Sequence, residues 1–292
     1  MHDMQTLAKK LFGFVNIYKP VGMTSHDVVA KMRKITGVKQ VGHTGTLDPF
    51  AEGVLPVCIG KATRLIEFLA DDKEYLATVQ FGASTDTYDK DGCIIFSSDK
   101  KVTEDDVKEA LKFFEGEISQ MPPIYSAIKV NGKKLYEYAR SGKEVEIQPR
   151  RVVIENIELK SFDKELQQAQ ILIKCSKGTY IRSIANDLGE NLGCGAHLVR
   201  LIRTQAGKFR VENSVKLEDV QIPKNLINPI DMMDYEKIHV GDEDIEYIRN
   251  GRPLKNKNIE HGSIILLVYN DNAICAVGVA DENVIKLKKV FL

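Results

Sequence analysis

Apolar and polar positions along the chain follow two periods, and the switches between them mark its elements. The short apolar run from Phe12 to Tyr18, closed by Lys19-Pro20 and Gly22, predicts a strand. Val28, Val29, Met32 and Ile35 then fall on one helical face, with Ser25 placed to cap the helix and Gly37 to stop it. A glycine-rich loop, Gly42 to Gly53, follows. Val54 to Gly60 predicts a buried strand, and Thr63 to Leu69 a short helix. Glu74 to Gly82 alternates as a half-buried strand does. Thr103 heads a further helix, with Glu104, Asp105 and Asp106 in its first turn and Val107, Ala110, Leu111 and Phe114 on one side. Asn131-Gly132 is a hairpin-type turn. Val152 to Leu159 and Ala169 to Cys175 predict strands, and Thr179 to Leu192 a helix ended by Gly193.

The texture changes near Ile222-Pro223 and Pro229. Beyond them, strand-like runs at Ser263 to Tyr269, Ala273 to Val279 and Val284 to Leu292 are separated by polar turns, which predicts a small β-rich module. Strands and helices mix irregularly in the larger part, so the fold class is α+β rather than regularly doubly wound.

Composition sets outer bounds. The 292 residues are 43% hydrophobic and 28% charged, as in an ordinary globular protein. Lys plus Arg and Asp plus Glu stand at 41 each, and zero net charge by itself speaks mildly against a nucleic-acid partner. The distribution is uneven, however. The stretch Lys129 to Arg151, the run Arg249, Arg252, Lys255 and Lys257, and the cluster Lys286, Lys288 and Lys289 are basic, whereas Asp86, Asp89, Asp91 and Glu104 to Asp106 gather acid. The five cysteines are scattered, without metal-knuckle or redox spacing, and read as free thiols in a reducing compartment. Met1 to Lys10 lacks the apolar core of a signal peptide, and no apolar run reaches membrane length. A cytoplasmic protein with no membrane contact is expected. The histidines show no metal-ligand spacing, and no phosphate-loop or dinucleotide fingerprint occurs, so neither metal nor nucleotide cofactor is expected.

The chemistry is expected in Gly42-His43-Thr44-Gly45-Thr46-Leu47-Asp48-Pro49. Its glycines permit tight turns and close approach of backbone to a ligand. A carboxylate before proline sits in an extended or turn conformation, where its side chain is displayed. Asp48 is therefore either a catalytic carboxylate or an Asx-type turn residue.

Gly42 to Pro49, continuing through Phe50-Ala51-Glu52-Gly53-Val54-Leu55-Pro56, resembles the catalytic signature of the TruB family of tRNA pseudouridine-55 synthases. Lys19 to Asp27 resembles that family's N-terminal motif. Lys73 to Ala77, Met121 to Ala127, Lys177 to Ser183, and Gly195 to Leu198 with Leu201, Arg203 and Thr204 match in the expected order. Position 202 is Ile where the family usually shows a basic residue.

The resemblance implies a largely antiparallel mixed sheet flanked by helices. It implies a catalytic domain over 1–230, an RNA-clamping insertion at about 100–150, and a PUA-like RNA-binding domain over 231–292. It implies cofactor-free isomerisation of a T-loop uridine, at tRNA position 55. A monomer is expected, since no exposed apolar stripe suggests a partner face. Asp48 matches the family's nucleophile, Arg182 the arginine that pairs with it, and Tyr75 the aromatic residue that stacks on the flipped uracil. Leu201 matches the apolar residue that packs against the site, with Tyr180 beside it, and His43 matches a histidine near the entering nucleotide. Lys19, Lys133 and Lys134 are the further candidates for substrate contact. The residue types suit the reaction: a carboxylate nucleophile needs no external energy source, a guanidinium keeps it ionised, and an extruded base needs an aromatic face. Two other readings remain, a tRNA-binding chaperone without chemistry and a related synthase acting on other RNAs.

Overall fold

The computed structural model describes residues 11–126, 128–130, 132–141, 145–255, 258–270 and 273–292. The chain begins with β1 (Gly13–Lys19), α1 (Ser25–Thr36), β2 (Val41–His43) and β3 (Glu52–Ile59), followed by a 3-10 helix at Gly60–Phe68. It continues with β4 (Lys73–Phe81), β5 (Ala83–Thr85), β6 (Ile94–Ser97), α2 (Glu104–Leu111) and β7 (Gly116–Gln120). A short hairpin of β8 (Lys129–Val130) and β9 (Lys133–Lys134) leads to α3 (Leu135–Arg140). Next come β10 (Arg150–Asp163), β11 (Gln168–Cys175), α4 (Ile181–Asn191), β12 (Ala196–Ala206), β13 (Phe209–Arg210) and β14 (Val215–Lys216). The C-terminal part holds β15 (Glu236–His239), α5 (Asp242–Arg249), β16 (Leu254–Lys255), β17 (Ile264–Tyr269), β18 (Ala273–Ala280) and β19 (Val284–Val290).

A ten-stranded mixed sheet forms the body, in the order β14-β1-β3-β12-β4-β11-β10-β7, with β2 on β3 and β13 on β12. The pairs β1–β14 and β3–β12 are parallel and the others antiparallel. Period-two alternation puts Tyr75, Ala77, Val79 and Phe81 of β4 on one buried face, beside Ala169, Ile171 and Ile173 of β11. Helix α4 covers that face with Ile181, Ile184, Ala185 and Leu188, and α2 adds Val107, Ala110 and Leu111. On β3 both faces are buried, as its continuous apolar run requires.

The C-terminal sheet runs β15-β17-β18-β19-β16. One face packs on α5 through Ile248 and Ile265. The other puts Leu266, Val268, Ile274 and Val277 into one core with Phe14, Val54, Leu65 and Phe209 of the main body. The two sheets are thus joined through a shared apolar layer.

Several sequence expectations are corrected. Thr24, not Ser25, caps α1: its side chain accepts from the Asp27 N–H, and the Asp27 carboxylate accepts from the Thr24 N–H. Ile35 is 42% exposed rather than facing the core. The short helix at 60–68 is of the 3-10 type. Within the expected insertion at about 100–150, helix α2 packs into the core of the main sheet and strand β7 pairs with β10, so only the part between Gln120 and Arg150 lies outside both. Strand β12, central in the sheet, and helix α5 carry no advance signal in the sequence reading.

Candidate active site

Four elements meet around Asp48. The loop between β2 and β3 carries it, and Ser25 at the start of α1 holds that loop. The Ser25 hydroxyl accepts from the Leu47 N–H at 2.9 Å and donates to the Leu47 carbonyl at 3.1 Å. Asp48 does turn the chain, since its main-chain oxygen accepts from Ala51 N–H at 3.1 Å. Its side chain is not spent on that turn. Asp48 Oδ2 lies 2.9 Å from Nε of Arg182, at the first turn of α4. The contact is an ion pair whose alignment falls short of a hydrogen bond. The carboxylate is 34% exposed and the guanidinium side chain only 6%, so the acid faces the open side and the base is locked behind it.

Arg182 is locked by more than Asp48. Nη1 donates to the Thr87 carbonyl at 3.2 Å and to Oδ2 of Asp89 at 3.3 Å, and Nη2 donates to the Tyr125 carbonyl at 3.0 Å. Asp89 is buried, and burial pushes its carboxyl up against the lowering effects of the Thr87 hydroxyl and Arg182. The Thr87 hydroxyl and the Asp91 N–H both donate to Oδ1 of Asp89, at 2.6 and 3.1 Å. The turn is joined to β12, where Leu198 N–H donates to the Tyr88 carbonyl and Lys90 N–H to the Leu198 carbonyl.

Tyr180 precedes α4 and is fixed by a reciprocal pair with Gln120 at the end of β7: Tyr180 N–H donates at 2.8 Å and its carbonyl accepts at 3.0 Å. Burial pushes its hydroxyl up, opposed by Ser126 and Arg150 and reinforced by the nearby Asp48 charge. Tyr75 and Leu201 are buried in one cluster with Leu47 under the loop. Burial pushes Tyr75 up, opposed by the Arg203 guanidinium. His43 is half-buried on β2, and burial, then the Arg203 charge, holds its ring below the usual histidine range.

Lys19 is fully buried, and its Nζ donates to the carbonyls of Pro20, Met23 and Pro49 at 2.8, 2.7 and 3.4 Å. Burial lowers its pKa to about 8, although Asp48 pulls the other way. Lys19 therefore braces the chain directly after Asp48. Lys133 is exposed on the β8–β9 hairpin, and the structure records no contact between it and the Asp48 group. The side chain of Lys134 lies outside the described residues.

Asp48, Arg182, Tyr75, Leu201, Tyr180, His43 and Lys19 thus come together. The sequence reading missed Asp89 as the second carboxylate on Arg182, and Gln120 as the residue that sets Tyr180. Asp89 stood out only as part of an acidic stretch, because its partner lies 93 residues away.

The fold is shared with solved structures over nearly the whole chain. The structure superposes on a Cbf5-Nop10-Gar1 complex with a TM-score of 0.73 at 26% identity, covering 99% of this chain and 87% of that one. An H/ACA RNP bound to a substrate RNA containing 2'-deoxyuridine gives 0.72 at 25% identity, covering 99% and 86%. Residues 33–181 match the TruB family pseudouridylate synthase (N terminal domain), and residues 182–231 the tRNA pseudouridylate synthase B C-terminal domain. The tRNA pseudouridine synthase B of Caldanaerobacter subterraneus subsp. tengcongensis is 44% identical over 282 residues, 96% of this chain and 99% of its own. That of Clostridioides difficile is 50% identical over 212 residues, 71% and 70% of the two chains. The chain belongs to the TruB family of pseudouridylate synthases. Among the described residues, no helix is long and apolar enough to cross a membrane.

Proposed function

We propose that the protein isomerises uridine to pseudouridine at position 55, in the T-loop of tRNA, with Asp48 as nucleophile. The observation that carries the reading is the Asp48–Arg182 pair at 2.9 Å, with the acid accessible and the base buried. In the reaction the bond from C1′ to N1 of uracil breaks and one from C1′ to C5 forms. The C5 proton is lost and N1 gains one, so neither an oxidant nor an energy source is consumed. Arg182 holds and aims Asp48, because a buried guanidinium 2.9 Å away fixes where the carboxylate points. The target uridine leaves the RNA stack to reach it, a cost repaid by packing in the site. Tyr75 and Leu201 form the floor under the base, with Tyr180 and His43 at its sides.

The substrate reading rests on the 44% identity to a tRNA pseudouridine synthase over nearly the full length of both chains. Lys133 and Lys134 grip RNA phosphates, and the segment between Gln120 and Arg150 clamps the T-arm. Residues 231–292 act as a PUA-like RNA-binding domain after a catalytic domain over 1–230. The enzyme works as a monomer in the cytoplasm. Mapping pseudouridine by nucleotide position in an unmodified tRNA transcript tests the site choice. Modification at position 55 alone is expected; modification spread over other stems or loops contradicts it.

A further inference from the structure

We infer that Arg203 is a positioning residue for this reaction, a buried guanidinium that fixes the shape of the Asp48 loop by binding main-chain oxygens on both sides of the carboxylate. Arg203 is 0% exposed and heads the fully buried side chains by volume. Nε donates to the Val54 carbonyl at 2.7 Å, Nη1 to Thr46 at 3.3 Å and Nη2 to Gly45 at 3.1 Å. Gly45 and Thr46 precede Asp48, and Val54 follows it. One planar fork therefore ties the two arms of the loop together, with the catalytic carboxylate at the bend between them.

The chemistry of the choice is informative. A buried cation is costly unless paired, and the ion pairs among the described residues include none to Arg203. Apolar packing would fill the same volume at lower cost, but it would leave three main-chain oxygens without these donors. Lysine offers a single point of donation, whereas the guanidinium reaches separate acceptors in one plane. The anchor is itself rigid. Arg203 pairs with Gly53 on β3 and with Tyr75 on β4, so its backbone is held from both sides. Gly53 has φ +108°, and a Cβ there would lie 2.3 Å from the Arg203 carbonyl oxygen, so strand and loop touch backbone to backbone. The two arginines divide the work: Arg182 aims the carboxylate, and Arg203 places the loop that carries it.

The inference rests on the proposed activity, and the test separates the two. Full-length wild type, Arg203→Lys and Arg203→Met are compared on one unmodified tRNA transcript by thermal melting, equilibrium binding and single-turnover pseudouridine formation. Wild type reports on the activity itself. Arg203→Lys is expected to melt cooperatively and bind within about threefold of wild type, yet react about 100-fold more slowly. Arg203→Met is expected to be no faster than Arg203→Lys. A lysine variant at the wild-type rate overturns the inference, as does one whose binding falls in step with its rate. A lysine variant that no longer melts cooperatively also overturns it, since Arg203 would then serve the fold as a whole.

Discussion

Arg182 stands between two carboxylates, with Nε 2.9 Å from Asp48 and Nη1 3.3 Å from Asp89. Only Asp48 is open to a substrate; Asp89 is as buried as the arginine. The second acid therefore acts through Arg182, setting the angle from which the guanidinium meets the first.

Asp89→Asn keeps the size and the Thr87 contact but removes the charge. Single-turnover pseudouridine formation is expected to slow by about 100-fold while tRNA binding is retained, as for a small misplacement of a reacting group. An unchanged rate would detach Asp89 from the site. Arg182→Met strands the buried Asp89 carboxylate and is expected to cost about 3–5 kcal/mol in urea unfolding. Adding Asp89→Asn to Arg182→Met should recover part of that loss, because the two residues are coupled.

Gly53→Ala tests the crossing of loop and strand. A methyl group there would sit 2.3 Å from the Arg203 oxygen, on a backbone with φ +108°. The strained conformation alone is expected to cost about 1–3 kcal/mol, and the clash adds to it. Denaturant unfolding at parity with wild type would show that the strands separate easily.

Lys19 gives a pH prediction with a definite sign. Its folded pKa of about 8 lies below the ordinary lysine value of 10.5. Between the two, the unfolded chain holds a proton that the folded chain has released, so this group makes stability rise with pH across that window. Relative to Lys19→Met, wild type should gain up to about 1.4 kcal/mol per pH unit between pH 8 and 10.5. Parallel stability curves for the two proteins would mean that Lys19 is not perturbed.

Lys133 is exposed on its hairpin and is expected to act on RNA through phosphate alone. Lys133→Ala should weaken tRNA binding more than it slows chemistry on bound RNA, and lower the salt-dependence slope by about one. The reverse pattern in single-turnover kinetics would place it in the reacting group.

Local signals in the sequence were enough for the parts of the fold that local forces decide. Thr103 with its acidic first turn marks α2, and the alternation from Glu74 marks β4. Strand β12 escaped because a bulge between Leu198 and Arg200 and another between Arg203 and Gln205 break its period-two pattern. At the site, the Asp48 loop was visible from its glycines and its motif. Asp89 and Arg203 were not assigned roles, because their partners are distant in the chain or are main-chain oxygens, which leave no mark in a residue string. Nor does spacing show that Asp48 turns the chain with its carbonyl and leaves its carboxylate for Arg182.

The most direct test of the whole account is pseudouridine detection on an unmodified tRNA transcript, with wild type and Asp48→Asn side by side. Wild type is expected to form pseudouridine in the T-loop, and Asp48→Asn to bind the same transcript and form none. Pseudouridine from Asp48→Asn at the wild-type rate, or none from a wild type that binds the transcript, would contradict the assignment of Asp48 as the nucleophile of this enzyme.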